Sequence, residues 1–227
     1  MEIKTNNKNN KLIIIAFIVI IVLQIIAIVY ATSQREYYHI DEIYSYGLMH
    51  YKRAFIYENE DFINTWHNSE YFKDYIEIND SEKYDFSAVY NNQAEDVHPP
   101  IYYLLLRIAC SFNINIFSIW PGTILNIILF IFSSIMLYLI GKKVFENDYY
   151  GLLLCLLNGF SIATIETVMY VRMYQLFILN VLILIYWHLI KRDKDTLNFK
   201  HDYFILYLMI VWRTVHVLCV QRCERVL

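Results

Sequence analysis

The run Leu12–Tyr30 carries no charged side chain and a single strongly polar one, Gln24. As a helix, these 19 residues are long enough to cross a hydrocarbon core of about 30 Å. Lys4, Lys8 and Lys11 precede the run, which places residues 1–11 in the cytoplasm by the positive-inside bias. A cleaved signal peptide is the competing reading, because Val29-Tyr30-Ala31 weakly resembles a cleavage site. The run is longer than the usual 7–15-residue core of such signals, so residues 12–30 are expected to stay as an anchor.

Three further runs are able to span, 117–140, 149–167 and 171–190, and a poorer one, 203–220, is interrupted by Arg213 and His216. Residues 99–112 are apolar but short, with Arg107 inside them. Parity decides their role. If 31–98 is exported and 99–112 does not cross, Lys142-Lys143 and then Lys191, Arg192 and Lys194 all return to the cytoplasm. If 99–112 crossed, both basic clusters would be outside. The segment is therefore expected to be an interfacial helix, with Arg107 reaching the headgroups and Tyr102-Tyr103 as interface anchors. The expected fold is an all-α polytopic membrane protein: a transmembrane helix bundle with an outer loop containing interfacial helices.

Charge is segregated in the same sense. Residues 31–100 hold 14 acidic and 5 basic side chains, whereas the rest of the chain holds 8 acidic and 14 basic. An acidic exported loop between basic cytoplasmic segments gives this pattern. It excludes nucleic acid as a partner, because that would need a contiguous basic surface. The four cysteines, Cys110, Cys155, Cys219 and Cys223, leave the loop without a disulfide framework. Five scattered glycines cannot build a nucleotide-binding loop.

The outer segment 31–98 is too polar for lipid and too short for a large core of its own. Within it, Ile43, Tyr44, Gly47-Leu48, Tyr51 and Phe55 recur at roughly helical spacing, predicting an amphipathic helix over 41–55 that lies on the membrane. Asp41 and Glu42 fall in its first turn, where carboxylates suit the positive helix end, so the pair reads either as a helix start or as a site. His98 before Pro99-Pro100 reads either as a helix-entry residue or as a ligand-binding group. Arg172 reads either as a snorkelling anchor at a span end or as an anion clamp. His39 and Glu166 are weaker candidates.

Three clusters stand out in order: His39-Ile40-Asp41-Glu42 after the first span, Glu95-Asp96-Val97-His98-Pro99-Pro100 at the end of the loop, and Arg172-Met173-Tyr174 at the later hairpin turn. Together they resemble the multi-spanning (GT-C type) glycosyltransferases that use lipid-phosphate-linked sugars, and most of all the protein mannosyltransferase-like group, family 39. The resemblance covers nearly all of residues 12–195. It implies an acidic pair after the first membrane helix, a His-Pro-Pro element closing the first outer loop, and an Arg-x-Tyr element beginning a later helix. It implies transfer of a sugar from a polyprenyl-phosphate donor to an acceptor hydroxyl on the extracytoplasmic face of a bacterial cell envelope. The implied roles are catalysis for Asp41 and Glu42, and donor-phosphate binding for Arg172, Tyr174 and His98. A divalent metal ion is left open as cofactor, with Glu42 and His98 as its candidate ligands. Members of the group run to more than twice this length, and residues 209–227 lose the span pattern, so the chain is expected to be an N-terminal portion with an aberrant or truncated end. The alternatives are an inactive truncated remnant of such an enzyme and a non-enzymatic transport, lipid-flipping or binding protein of the membrane. The sugar and the acceptor are not legible.

Overall fold

The computed structural model describes residues 2–50, 64–96, 98 and 100–193. The expectations for 51–63, for Val97 and Pro99, and for the span 203–220 and the end 209–227 lie outside the described residues. Described secondary structure is helical throughout: α1 Glu2–Ser33, α2 Ile40–His50, α3 Lys73–Ile76, α4 Ser87–Glu95, α5 Pro100–Cys110, α6 Trp120–Phe145, α7 Asp148–Gly159, α8 Ile162–Met169 and α9 Tyr174–Asp193. Short 3-10 turns at Ser69–Phe72 and Asp80–Glu82 flank α3. Three of these helices are long and apolar enough to cross a membrane, over Asn9–Ser33, Trp120–Phe145 and Tyr174–Lys191; α7 with α8 makes a fourth if the pair is one broken span. The chain is an all-α polytopic membrane protein.

The chain divides into two units. One is built from α1, α6 from Asn126 onward, α7, α8 and α9. Leu12, Ile15, Ile18, Leu23 and Ile26 of α1 stay about half exposed. A row of this kind is costly in water and ordinary against lipid. Its packed side is the cluster Ile28, Ile127, Phe130 and Val168. Several polar side chains within these helices find partners. Gln24 donates to the Cys155 carbonyl at 2.9 Å, Gln175 to Ser133 Oγ at 3.1 Å, and Asn126 to the carbonyls of Val168 and Tyr170.

The run 149–167, expected as one straight span, is bent by 65° between α7 and α8. The sequence supplies the break. Ser161 caps α8 by accepting from Thr164 N, so the chain restarts a helix there instead of continuing one. Gly159 ends α7 where a Cβ would lie 2.2 Å from the Gln24 amide carbon, so any larger residue would have to displace the end of that side chain.

The other unit holds α2–α5, the start of α6 and the connection 171–173. It corrects the expectation that α2 lies flat on the membrane. Ser45, Tyr46, Gly47, Leu48, Met49 and His50 are all buried, and six consecutive residues go more than once around a helix. No lipid-facing stripe is left on that half of α2. Its neighbours α3, α4 and α5 close over it and share a core of Tyr46, Met49, Tyr75, Val89, Tyr102 and Leu106. The outer segment, expected to be too short for a large core of its own, shares one with α5.

Arg107 is a second correction. It was expected to reach headgroups, yet it is 1% exposed and donates from Nη2 to the Glu82 carbonyl. The apolar face that α5 leaves exposed carries Ile101 and Ile108 instead. Tyr102 and Tyr103, expected as interface anchors, are fully buried.

Candidate active site at the start of α2

His39 is the N-cap of α2: its carbonyl accepts from Glu42 N and Ile43 N, and its Nδ1 accepts from Asp41 N at 3.1 Å. Glu42, at the third helical position, returns the bond, its Oε2 accepting from His39 N at 3.0 Å. Glu42 thus makes its half of a capping box, while the His39 ring takes the N–H of the second helical residue in place of the third. So the helix-start reading of the acidic pair is correct for one oxygen of Glu42. The other does something a cap does not require. Oε1 accepts from the backbone N–H of Val171 at 2.9 Å, 129 residues further along the chain.

Arg172 is the next residue after that contact. Its Nη2 lies 3.7 Å from Asp41 Oδ2; the guanidinium is 8% exposed and the carboxylate 36%. Asp41 is therefore the more accessible member of the pair and Arg172 the buried one. Arg172 Nε is buried without a hydrogen-bond partner among the described residues. Beside the guanidinium is the fully buried Tyr103 hydroxyl, close to Ser45 as well, although no contact there reaches full hydrogen-bond geometry. Burial pushes the Tyr103 phenol well above its ordinary range, with Arg172 pulling the other way, so it remains an O–H donor.

Asp96 also acts on Tyr103, and it pairs with His98: Asp96 Oδ2 and His98 Nδ1 are 2.8 Å apart. An ionised carboxylate only accepts, so Nδ1 carries the proton and Nε2 is left as the position directed elsewhere. Asp96 is buried and His98 is 23% exposed. Within this unit Glu42 holds Val171, Arg172 faces Asp41, and Asp96 pairs with His98.

The structure brings together Asp41, Glu42 and Arg172 of the five expected site residues, and places His98 in the same unit, paired with Asp96. Tyr174 begins α9 in the other unit, where its ring stacks on Tyr170 at 6.0 Å and 5°. Glu166 lies on α8, exposed, also in that unit. Tyr103 and Asp96 were missed as site residues. The signal for Asp96 was its i, i+2 spacing to His98; nothing in the sequence separates Tyr103 from an anchoring tyrosine.

Glu42 and His98 are the two candidate metal ligands, and His98 keeps Nε2 open. Each oxygen of Glu42 accepts one backbone N–H group and keeps a further lone pair. His98 Nδ1 is committed to Asp96. Among the described residues no three His, Cys, Asp or Glu side chains group around a common point.

Outside this cluster, His50 is buried against the Tyr75 carbonyl, with Nε2 at 3.0 Å and Nδ1 3.7 Å from Glu82 Oε2. Burial lowers its pKa to about 4, with Arg107 adding to the effect, so the imidazole is neutral and its approach to Glu82 is not an ion pair.

No protein-family profile, curated protein or solved structure matches this chain.

Proposed function

We propose that this chain is a membrane glycosyltransferase that moves a sugar from a polyprenyl-phosphate donor to an acceptor hydroxyl on the extracytoplasmic face. The observation that carries the reading is the pair at the mouth of α2: a part-exposed carboxylate, Asp41, beside a nearly buried guanidinium, Arg172, at 3.7 Å. The two groups answer the two demands of the reaction. As the bond between the acceptor oxygen and the anomeric carbon forms, the acceptor proton passes to Asp41. As the bond between that carbon and the phosphate oxygen breaks, the electron pair leaves on phosphate, where Arg172 offers a charge that cannot be lost and a fork of N–H donors. Tyr103 can add an O–H donor to the same oxygen, and His98 is the further phosphate contact.

Charge distribution supports the side of the membrane. Lys142 and Lys143 close α6 and Lys191 closes the α9 span, while the segment bearing Asp41 is acidic. An extracytoplasmic site has no supply of nucleotide sugars, so a lipid-carried donor suits it.

The test is donor turnover. Purified protein in liposomes is given a panel of polyprenyl-phosphate hexoses, and release of polyprenyl phosphate is followed with water and with simple alcohols as acceptors. Release that Arg172→Lys abolishes is the expected result. No release from any member of the panel, by protein that binds none of them, would overturn the reading.

A further inference from the structure

We infer that Glu42 is a positioning residue whose buried carboxylate clamps the Val171 amide and so sets where the Arg172 guanidinium stands. Glu42 is 0% exposed and sits in the first turn of α2, and each of its oxygens takes a backbone N–H. The His39 bond is local and would form in α2 alone. The Val171 bond is different in kind. The last bond of α8 runs from Tyr170 N to the Glu166 carbonyl, and the three residues after it are not helical. Val171 is fully buried, so its N–H would be an orphan without Glu42, and a buried orphan donor is costly.

Val171 is held at its side chain as well. A Cβ on Gly122 would lie 2.4 Å from Val171 Cγ1 and 3.0 Å from the Tyr46 hydroxyl, so glycine at 122 is what lets Val171 in. Tyr46 is in turn tied down by donating to the carbonyls of Ser118 and Ile119. One residue beyond this double fixation comes Arg172, on a side chain with several rotatable bonds and with Nε unpartnered. Side-chain contacts alone would not hold its Cα. The clamp does so and links it to the helix turn that carries Asp41, so both groups share one frame. Neighbouring carboxylates in the sequence thus do unlike work: Asp41 meets the substrate, and Glu42 acts through Arg172.

The functional half of this inference rests on Arg172 binding the donor phosphate; the clamp itself does not. Two measurements separate them. Hydrogen exchange over residues 168–174 is compared in the intact protein, Glu42→Gln, Glu42→Met and His39→Ala. Glutamine presents an NH2 where one N–H must find an acceptor, so Glu42→Gln should speed exchange there about tenfold. His39→Ala removes a side-chain cap but keeps the backbone N–H, and should leave 168–174 unchanged. Glutamine's one oxygen can still accept from Val171 N whereas methionine offers none, so equal exchange in the intact protein, Glu42→Gln and Glu42→Met overturns the clamp. Binding of polyprenyl phosphate in detergent micelles is then measured for Glu42→Gln, Arg172→Lys and the double variant. The expected result is a loss in each single variant and no further loss in the double. If the intact protein binds polyprenyl phosphate and Glu42→Gln binds it equally well, the link to Arg172 is overturned. If the intact protein does not bind it, the proposed function fails and the exchange comparison alone decides the clamp. Should Glu42→Gln unfold, Gly122→Ala displaces Val171 without touching α2's first turn. A shift in exchange over 168–174 with unchanged phosphate binding would again overturn the link.

Discussion

Arg172 and Asp41 are 131 positions apart in sequence, and their charged groups lie 3.7 Å from each other. That separation is too long for a tight bidentate pair and short enough for the two groups to share one small ligand. Arg172 is the buried member and Asp41 the accessible one, an order that suits a fixed anion clamp and a base that meets an incoming hydroxyl.

Substitution should separate these roles. Asp41→Asn keeps size and much of the hydrogen bonding but removes the proton acceptor. Turnover should fall by ~10²–10⁴-fold with donor binding little changed. Arg172→Lys keeps a charge and loses the fork, so donor affinity and rate should fall together. Steady-state kinetics beside equilibrium binding of polyprenyl phosphate checks both. Near-normal turnover in Asp41→Asn would reduce Asp41 to a helix-start residue.

His50 should make the stability of the α2–α5 unit depend on pH in a defined window. Its pKa is about 4 when folded, against an ordinary 6.5. Between those values the unfolded chain binds a proton that the folded chain does not. Stability therefore rises with pH across about 4 to 6.5 and falls as pH drops through it, by at most about 3 kcal/mol from this group. Carboxylates add their own slopes, so the measurement is a difference. Thermal unfolding in detergent at pH 4.5 and 7 should show a smaller drop for His50→Gln than for the intact protein.

How much of this was legible in the sequence follows from the range of each signal. The anchor 12–30 falls within the observed Asn9–Ser33 span, because a long uncharged run is a local property. The span expected from 117 begins at Trp120, and the one expected from 171 begins at Tyr174. The bend at Phe160–Ser161 was missed, although Gly159 and Ser161 are its local cause, because hydropathy averages over such a break. At the site, the residue types of Asp41, Arg172 and His98 were readable from their order. The unlike fates of Asp41 and Glu42 were not, since they depend on an acceptor contact to Val171 made only in the folded unit. The same holds for Arg107: charge and helix position pointed to headgroups, and a tertiary carbonyl on Glu82 took it instead.

The helix break should be sensitive to volume. Gly159→Ala drives a methyl into the Gln24 amide, which is fully buried and bonded to the Cys155 carbonyl. Displacing that amide costs its hydrogen bond as well as packing, about 1–3 kcal/mol together. The variant should unfold several degrees lower in detergent, and Gln24→Ala in the same chain should recover part of the loss by making room. Equal melting of Gly159→Ala and the intact protein would show that α1 does not press on this turn.

Orientation is the prediction on which the side of the reaction depends. A single cysteine is placed in a background without the native ones and treated with an impermeant thiol reagent in intact cells. Position matters: Asn92 is 2% exposed and donates to the Leu48 carbonyl, so a cysteine there would be silent in either orientation. Tyr90, on the same helix, is 60% exposed and serves instead. On the other side, Lys143 stands in the last turn of α6 and is exposed. The positive-inside bias places 143 in the cytoplasm and the acidic segment outside. Tyr90→Cys should therefore label in intact cells, and Lys143→Cys only after permeabilisation. The reverse pattern would put Asp41 and Arg172 on the cytoplasmic side, where nucleotide sugars are at hand and the case for a lipid-carried donor loses its support. Labelling of both positions in intact cells would mean that α6 does not cross, and the span assignment itself would have to be redrawn.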